Sequence, residues 1–253
     1  MNFITAKKQD LFNHFITDYK TLFDVDENLA KTFLKNGELF KRLTEEWYHQ
    51  LENGTLQDAY RVYDDEYYFV DIFNCYATYS RDYIKRIIKS PTALALLKDS
   101  KSFVDIGCGI SYSTCALKQV FPNAKAYAIN LRNTKQWKFC DMMSKTHHFH
   151  LIESVDEVAG EVDFVFASEY FEHIENPTRH FQEIVDKIQP KYFIIANAFN
   201  TWSIGHYKTY VYDHTTVDQS KISKLFNRYI RLNGYEKVNC NLWNNKPTIW
   251  KKV

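Results

Sequence analysis

The sequence predicts an α/β fold: a doubly wound, mostly parallel sheet behind a helical N-terminal region. Three observations carry this. Apolar residues recur at three-to-four spacing through residues 1–100. Short apolar runs then alternate with helical periods from Ser102 to Ala196. Two of the chain's 7 glycines, Gly107 and Gly109, fall within one turn directly after the first such run. A chain this poor in glycine places two so close for a backbone reason.

The N-terminal helical spacing runs through Leu11, Phe15 and Leu22, then Phe12, Ile16, Tyr19 and Phe23, and resumes at Phe40, Leu43, Trp47 and Leu51. Gly37 and Gly54 stand where helices can stop. Tyr60, Tyr63 and Tyr67, followed by Tyr76, Tyr79 and Tyr83, continue the pattern until Pro91 closes it. Strands are expected at 103–106, 124–129, 148–152, 163–167 and 192–196, with helices at 112–121, 133–145 and 177–188. Asn176 caps the last of these, Pro177 takes its first position and Pro190 stops it. Such alternation calls for a parallel sheet covered on both faces. The tail adds a helix at about 215–232, Gly234, and apolar Val238, Leu242 and Ile249 suited to antiparallel strands. The expected division is a helical region at 1–100, serving as substrate cover or packing, and a Rossmann-like domain at 101–253.

Composition narrows the function classes. The 253 residues are 45% hydrophobic and 25% charged with a net charge of +1, the balance of an ordinary globular protein. No apolar run approaches the roughly 20 residues a membrane helix needs. Lys7, Lys8 and Asp10 interrupt a signal-peptide core in the first residues. Nothing argues for a large basic surface. Cys75, Cys108, Cys115, Cys140 and Cys240 never stand as C-x-x-C. Neither a disulfide framework nor zinc follows, and they read as reduced core thiols of a cytoplasmic protein.

The segment from Phe103 to Thr114 is a buried strand running into a tight loop and a helix, where amides face a ligand's polar end. Asp105 precedes Gly107 by two residues. This spacing resembles motif I of class I S-adenosylmethionine-dependent methyltransferases. The resemblance implies that Asp105 organises the loop near the methionine amino group while Gly107, Cys108, Gly109 and Ser111 admit the cofactor, with Ser168 at the fourth strand's end. Ser111 replaces the third glycine and needs allowed dihedrals. Asn130 stands where the family has an acid gripping the ribose hydroxyls; an amide can still bond a hydroxyl without charge assistance. The register does not match a dinucleotide fingerprint. Asp156, or Ser154 and Val155, stand where adenine would lie.

After the fourth strand come Glu169, Glu172 and His173, spaced to share one face of a helical turn. Two carboxylates and an imidazole so placed need a cation or a proton between them. Oxygen-rich ligation with one imidazole suits Mg²⁺ or Mn²⁺. The E-x-x-E-H string resembles metal-dependent O-methyltransferases of two groups, acting on small-RNA ends and in the ubiquinone pathway. The RNA group adds a further histidine, for which His206 and His214 are candidates, His206 being favoured by Gly205 before it. The alternatives are that Glu172 and His173 line the pocket without metal, or that the turn is solvated. His147, His148 and His150 form no such constellation.

Tyrosines at 63–68 and at Tyr76 and Tyr79 suit a substrate wall or base stacking, or plain packing. Arg81, Lys85, Arg86 and Lys89 suit a phosphate contact or a solvated helix face. The expected function is an S-adenosylmethionine-dependent O-methyltransferase assisted by a divalent metal. Glu172, His173 and His206 are its catalytic candidates, and these with Glu169 are its metal ligands. Its acceptor is a small molecule or a nucleotide or nucleic acid. A non-catalytic module binding S-adenosylmethionine or another nucleotide is the alternative. Neither the acceptor atom nor the oligomeric state is legible.

Overall fold

In the computed structural model, which describes residues 1–24, 28, 31–32 and 37–253, the strands fall into one large sheet and a small hairpin. The helical expectation for the intervening positions lies outside the described residues. The sheet comprises β1 (Ser102–Ile106), β2 (Lys125–Ile129), β3 (His150–Ile152), β4 (Phe164–Ser168), β5 (Tyr192–Ala196), β8 (Tyr235–Val238) and β9 (Thr248–Lys252). Its order is β3-β2-β1-β4-β5-β9-β8. The first five strands pair in parallel, and β9 runs antiparallel to both β5 and β8. The hairpin joins β6 (Thr209–Tyr212) to β7 (Thr215–Asp218).

Every residue of β1 is buried, as a central strand covered on both faces requires. Period-two alternation divides the core. Phe103, Phe164 and Ile194 face one side, while Val104, Ile106, Val165 and Phe193 face the other. Helices α6 (Tyr112–Val120) and α7 (Lys135–His147) cover the first face; α8 (Pro177–Ile188) and α9 (Gln219–Leu232) cover the second. Asn176 Oδ1 accepts the Arg179 amide at 3.0 Å, so it caps α8 with Pro177 at the first position.

Three expectations shift. Gly37 lies in a helix, α2 (Gly37–Asn53), and does not end one. Thr215 to Asp218 form a strand before α9, because β-branched Thr215, Thr216 and Val217 find partners in β6. Leu242 lies outside the strands, before a short turn at Trp243–Asn245.

The N-terminal helices join the sheet's own core. The rings of Phe15, from α1 (Lys8–Leu22), and Phe69, from α3 (Glu66–Cys75), meet that of Phe139 in α7 at 5.9 and 5.5 Å. A π-helical turn, Tyr76–Ser80, carries α3 into α4 (Arg81–Lys89), and α5 (Pro91–Leu97) leads into β1. Strand order reverses at β1 and β4, so their carboxyl ends open a crevice. Helices α3 and α4 lie over it. Among the described residues no helix is long and apolar enough to cross a membrane.

Candidate functional site

Three segments meet at this crevice. The first is the loop after β1. Gly107 and Gly109 have φ of +68° and +56°, the left-handed region that glycine enters freely. A β-carbon at Gly107 would run into the Tyr170 ring, and one at Gly109 would come 2.7 Å from Ile72 Cγ2. Ser111 adopts the same region (φ 56°, ψ 15°) with its hydroxyl on the Ile110 carbonyl at 2.8 Å. Buried Asp105 is committed to the helix start: its Oδ2 accepts from Ser113 and Thr114 hydroxyls, each at 2.6 Å. Burial raises its pKa to about 6 against these two bonds.

Asn130, at the end of β2, is turned inward. Its amide nitrogen donates to the Gly109 carbonyl at 2.7 Å, and its oxygen accepts the Leu131 amide at 2.8 Å. The side chain expected at the ribose is thus engaged in holding the glycine loop. Cys140 Sγ lies 3.1 Å from the same carbonyl, and Cys108 Sγ lies 3.9 Å from Cys140 Sγ.

The second segment follows β4. Ser168 Oγ pairs with Ser80 Oγ from the π turn at 2.9 Å. Glu169 has φ +51°, so the chain leaves helical space there and a short 3₁₀ turn begins only at Phe171. The expected helical face carrying Glu169, Glu172 and His173 therefore does not form. Glu169 Oε1 accepts from the Tyr83 hydroxyl at 2.8 Å. Glu172, fully buried, receives the Ala198 amide on Oε1 at 2.8 Å and the Asn197 amide on Oε2 at 3.0 Å. Burial first, then the neighbouring Glu169 carboxylate, push Glu172 well above its usual range. A proton relieves this acid pair.

The third segment follows β5. Gly205 packs against His173 Nδ1 and, at 2.6 Å from its missing β-carbon, the Tyr63 hydroxyl. His206 meets His173 edge-on, with ring centroids 4.8 Å apart. Its Nδ1 sits 2.9 Å from the Thr201 carbonyl, and its own carbonyl accepts the Trp47 indole N–H at 2.6 Å. Burial lowers the His206 pKa to about 4. Burial, then charge on His206, carry His173 well below its usual value, opposed by the Gly205 backbone. His214 is exposed in the β6–β7 turn, away from this pair.

These placements bear on a metal. Glu172 is spent on backbone and amide donors and on its acid neighbour, Glu169 on Tyr83, and the His173 ring faces Gly205 and His206. Among the described residues no three His, Cys, Asp or Glu side chains meet to hold an ion. Glu169, Glu172, His173 and His206 do not fit a divalent cation in this arrangement. Tyr83, Tyr170 and Asn197 were not singled out as catalytic, cofactor or metal residues from the sequence. Tyr63 and Tyr83 both gave a signal, as part of the aromatic helical stripes, and Tyr63 lay in the run read as a substrate wall or packing; Tyr170 and Asn197 gave none.

The loop suits a cofactor at the carboxyl end of β1: Gly107 and Gly109 hold positive φ there, and Tyr170 and Ile72 pack so closely on them that only glycine fits. Residues 76–238 match the family model of a methyltransferase domain. In three dimensions the chain is similar to the mitomycin 7-O-methyltransferase MmcR (TM-score 0.54, 10% identity, 84% of this chain and 68% of that one). It is also similar to an O-methyltransferase family protein from Burkholderia thailandensis (TM-score 0.50, 9% identity, 83% and 71%). No curated protein matches it in sequence. The mostly parallel sheet, the glycine cradle at its switch point and the family match over most of the chain together make this protein a member of the methyltransferase domain family, an S-adenosylmethionine-dependent methyltransferase.

Proposed function

We propose that the chain methylates a hydroxyl oxygen of a small molecule, with His173 taking the hydroxyl proton and no metal taking part. The neutral imidazole of His173 at the crevice carries this reading. Burial beside His206 keeps the ring neutral, which leaves a lone pair free while making it a weaker base than an exposed imidazole, so the proton moves as the methyl group is transferred and not before. Its Nδ1 lies against Gly205, which leaves Nε2 for the acceptor. S-adenosylmethionine, when bound, supplies an electrophilic methyl group. Gly107, Cys108, Gly109 and Ser111 would hold it, with Ser168 at the neighbouring strand end. What this chain adds is chiefly orientation, worth several kcal/mol when acceptor and methyl are held in line. The Glu169–Glu172 pair, relieved by one shared proton and anchored by Tyr83, keeps the β4 turn in place.

The acids near the crevice argue against a polyanionic acceptor. Oxygen as the acceptor atom accords with the names of the two similar O-methyltransferases. Residues 1–100 act as the acceptor's cover and residues 101–253 as the transfer domain.

The test is methyl transfer from S-adenosylmethionine to a panel of phenols, catechols and aliphatic alcohols. His173→Asn should lower kcat by about 10²–10³ while leaving cofactor affinity unchanged. Turnover abolished by chelator and restored by Mg²⁺ would overturn the metal-free reading. Undiminished turnover in His173→Asn would remove its role as base.

A further inference from the structure

We propose that Asp71 is the counter-ion for the positive charge of S-adenosylmethionine. This rests on the cofactor assignment above and assigns a residue that lies outside the matched methyltransferase domain, which begins at residue 76.

Helix α3 presents Tyr68, Asp71, Ile72 and Cys75 at i, i+3, i+4 and i+7, a single face. Contacts at both ends show what this face covers. Ile72 touches the glycine loop at Gly109. Cys75 feels the charges of Asp71, Glu169 and Glu172, so it looks on the β4 turn. Asp71 stands between these points, over the crevice. All four side chains keep some accessible surface although burial dominates the ionisation of Tyr68, Asp71 and Cys75. This face is thus neither packed shut nor open to bulk solvent.

Asp71 has no hydrogen bond or ion pair among the described residues, and no cationic side chain offsets its burial. Burial alone raises it to about 6, which leaves it ionised at neutral pH. A half-buried carboxylate without a partner is costly, and a cation arriving beside it recovers that cost. Asp105 cannot take this role freely, since Ser113 and Thr114 already occupy one of its oxygens. S-adenosylmethionine brings a sulfonium and an ammonium group into the crevice where Asp71 waits.

Calorimetric titration with S-adenosylmethionine and with 5′-methylthioadenosine tests this. The second ligand keeps the adenosine and the sulfur but carries neither charge. Asp71→Asn should weaken S-adenosylmethionine by at least about tenfold and leave 5′-methylthioadenosine within twofold. Asp71→Glu, which keeps the charge, should lose much less. Asp71→Ser serves if the asparagine variant does not fold. Unchanged S-adenosylmethionine affinity in a folded neutral variant overturns the proposal, and so does an equal loss for both ligands. A wild-type protein that binds neither ligand overturns the cofactor assignment and the counter-ion with it.

Discussion

Asn130 shows how one side chain's chemistry follows from its neighbours. Its amide nitrogen bonds the Gly109 carbonyl and its oxygen bonds the Leu131 amide, so both ends are used. Aspartate at this position would set an oxygen against the Gly109 carbonyl. Asn130→Asp should therefore loosen the glycine loop, costing about 1–3 kcal/mol of stability and weakening S-adenosylmethionine binding. Thermal unfolding and titration check this, and tighter binding would restore the ribose contact that the sequence suggested. Position, but not orientation, was legible here: the strand's end is fixed by hydrophobic pattern, whereas the amide's direction depends on a carbonyl 21 residues away. A second buried group gives an opposite sign. Among the described residues the buried Tyr112 hydroxyl has no hydrogen-bond partner, so Tyr112→Phe should raise stability by about 1 kcal/mol in the same unfolding measurement.

At the level of elements, the five parallel strands and the helices between them were readable because each is a local pattern. Buried strands are continuous apolar runs, and α8 carries its start and stop signals in Asn176, Pro177 and Pro190. The turn after β4 was misread for a local reason too. Spacing of three and four implies a helical face only if the backbone stays helical, and Glu169 at φ +51° breaks it. The anchoring of α2 was not legible at all, since it joins residues 159 apart: the buried Trp47 indole donates to the His206 carbonyl at 2.6 Å. Trp47→Phe keeps most of the apolar surface but leaves that carbonyl unsatisfied. It should cost about 1–3 kcal/mol. Amide exchange should rise across residues 201–208, the loop that holds Gly205 and His206. Unfolding with no such local change would mean that Trp47 matters only as bulk.

For the whole molecule, the sequence distinguished a helical run from an alternating strand–helix run but not how they pack. The tyrosine stripe of α3 looks the same whether it meets solvent, another helix or a ligand, and only the contacts of Ile72 and Cys75 decide. Bringing the two runs together buries groups of opposite titration behaviour. Glu172, Asp71 and Asp105 are raised, so the stability they favour is present at low pH and is lost as pH rises through about 6 for the two aspartates. His173 and His206 are lowered, so their contribution is present above 6.5 and lost as pH falls; for His206 the loss is complete near 4. Between pH 6.5 and 4 these two sets oppose each other and flatten the wild-type curve. His206→Gln removes one titrating group while keeping a donor for the Thr201 carbonyl. The unfolded wild type takes up a proton at His206 across this window and the folded protein resists it, whereas the glutamine variant has no such penalty. Relative to wild type, the variant should thus gain up to about 3 kcal/mol between pH 7 and pH 4. Urea unfolding of both proteins at half-unit pH steps measures the gap. A gap that stays constant across the range would show that His206 titrates as an exposed imidazole does, and would undo the account of the buried histidine pair.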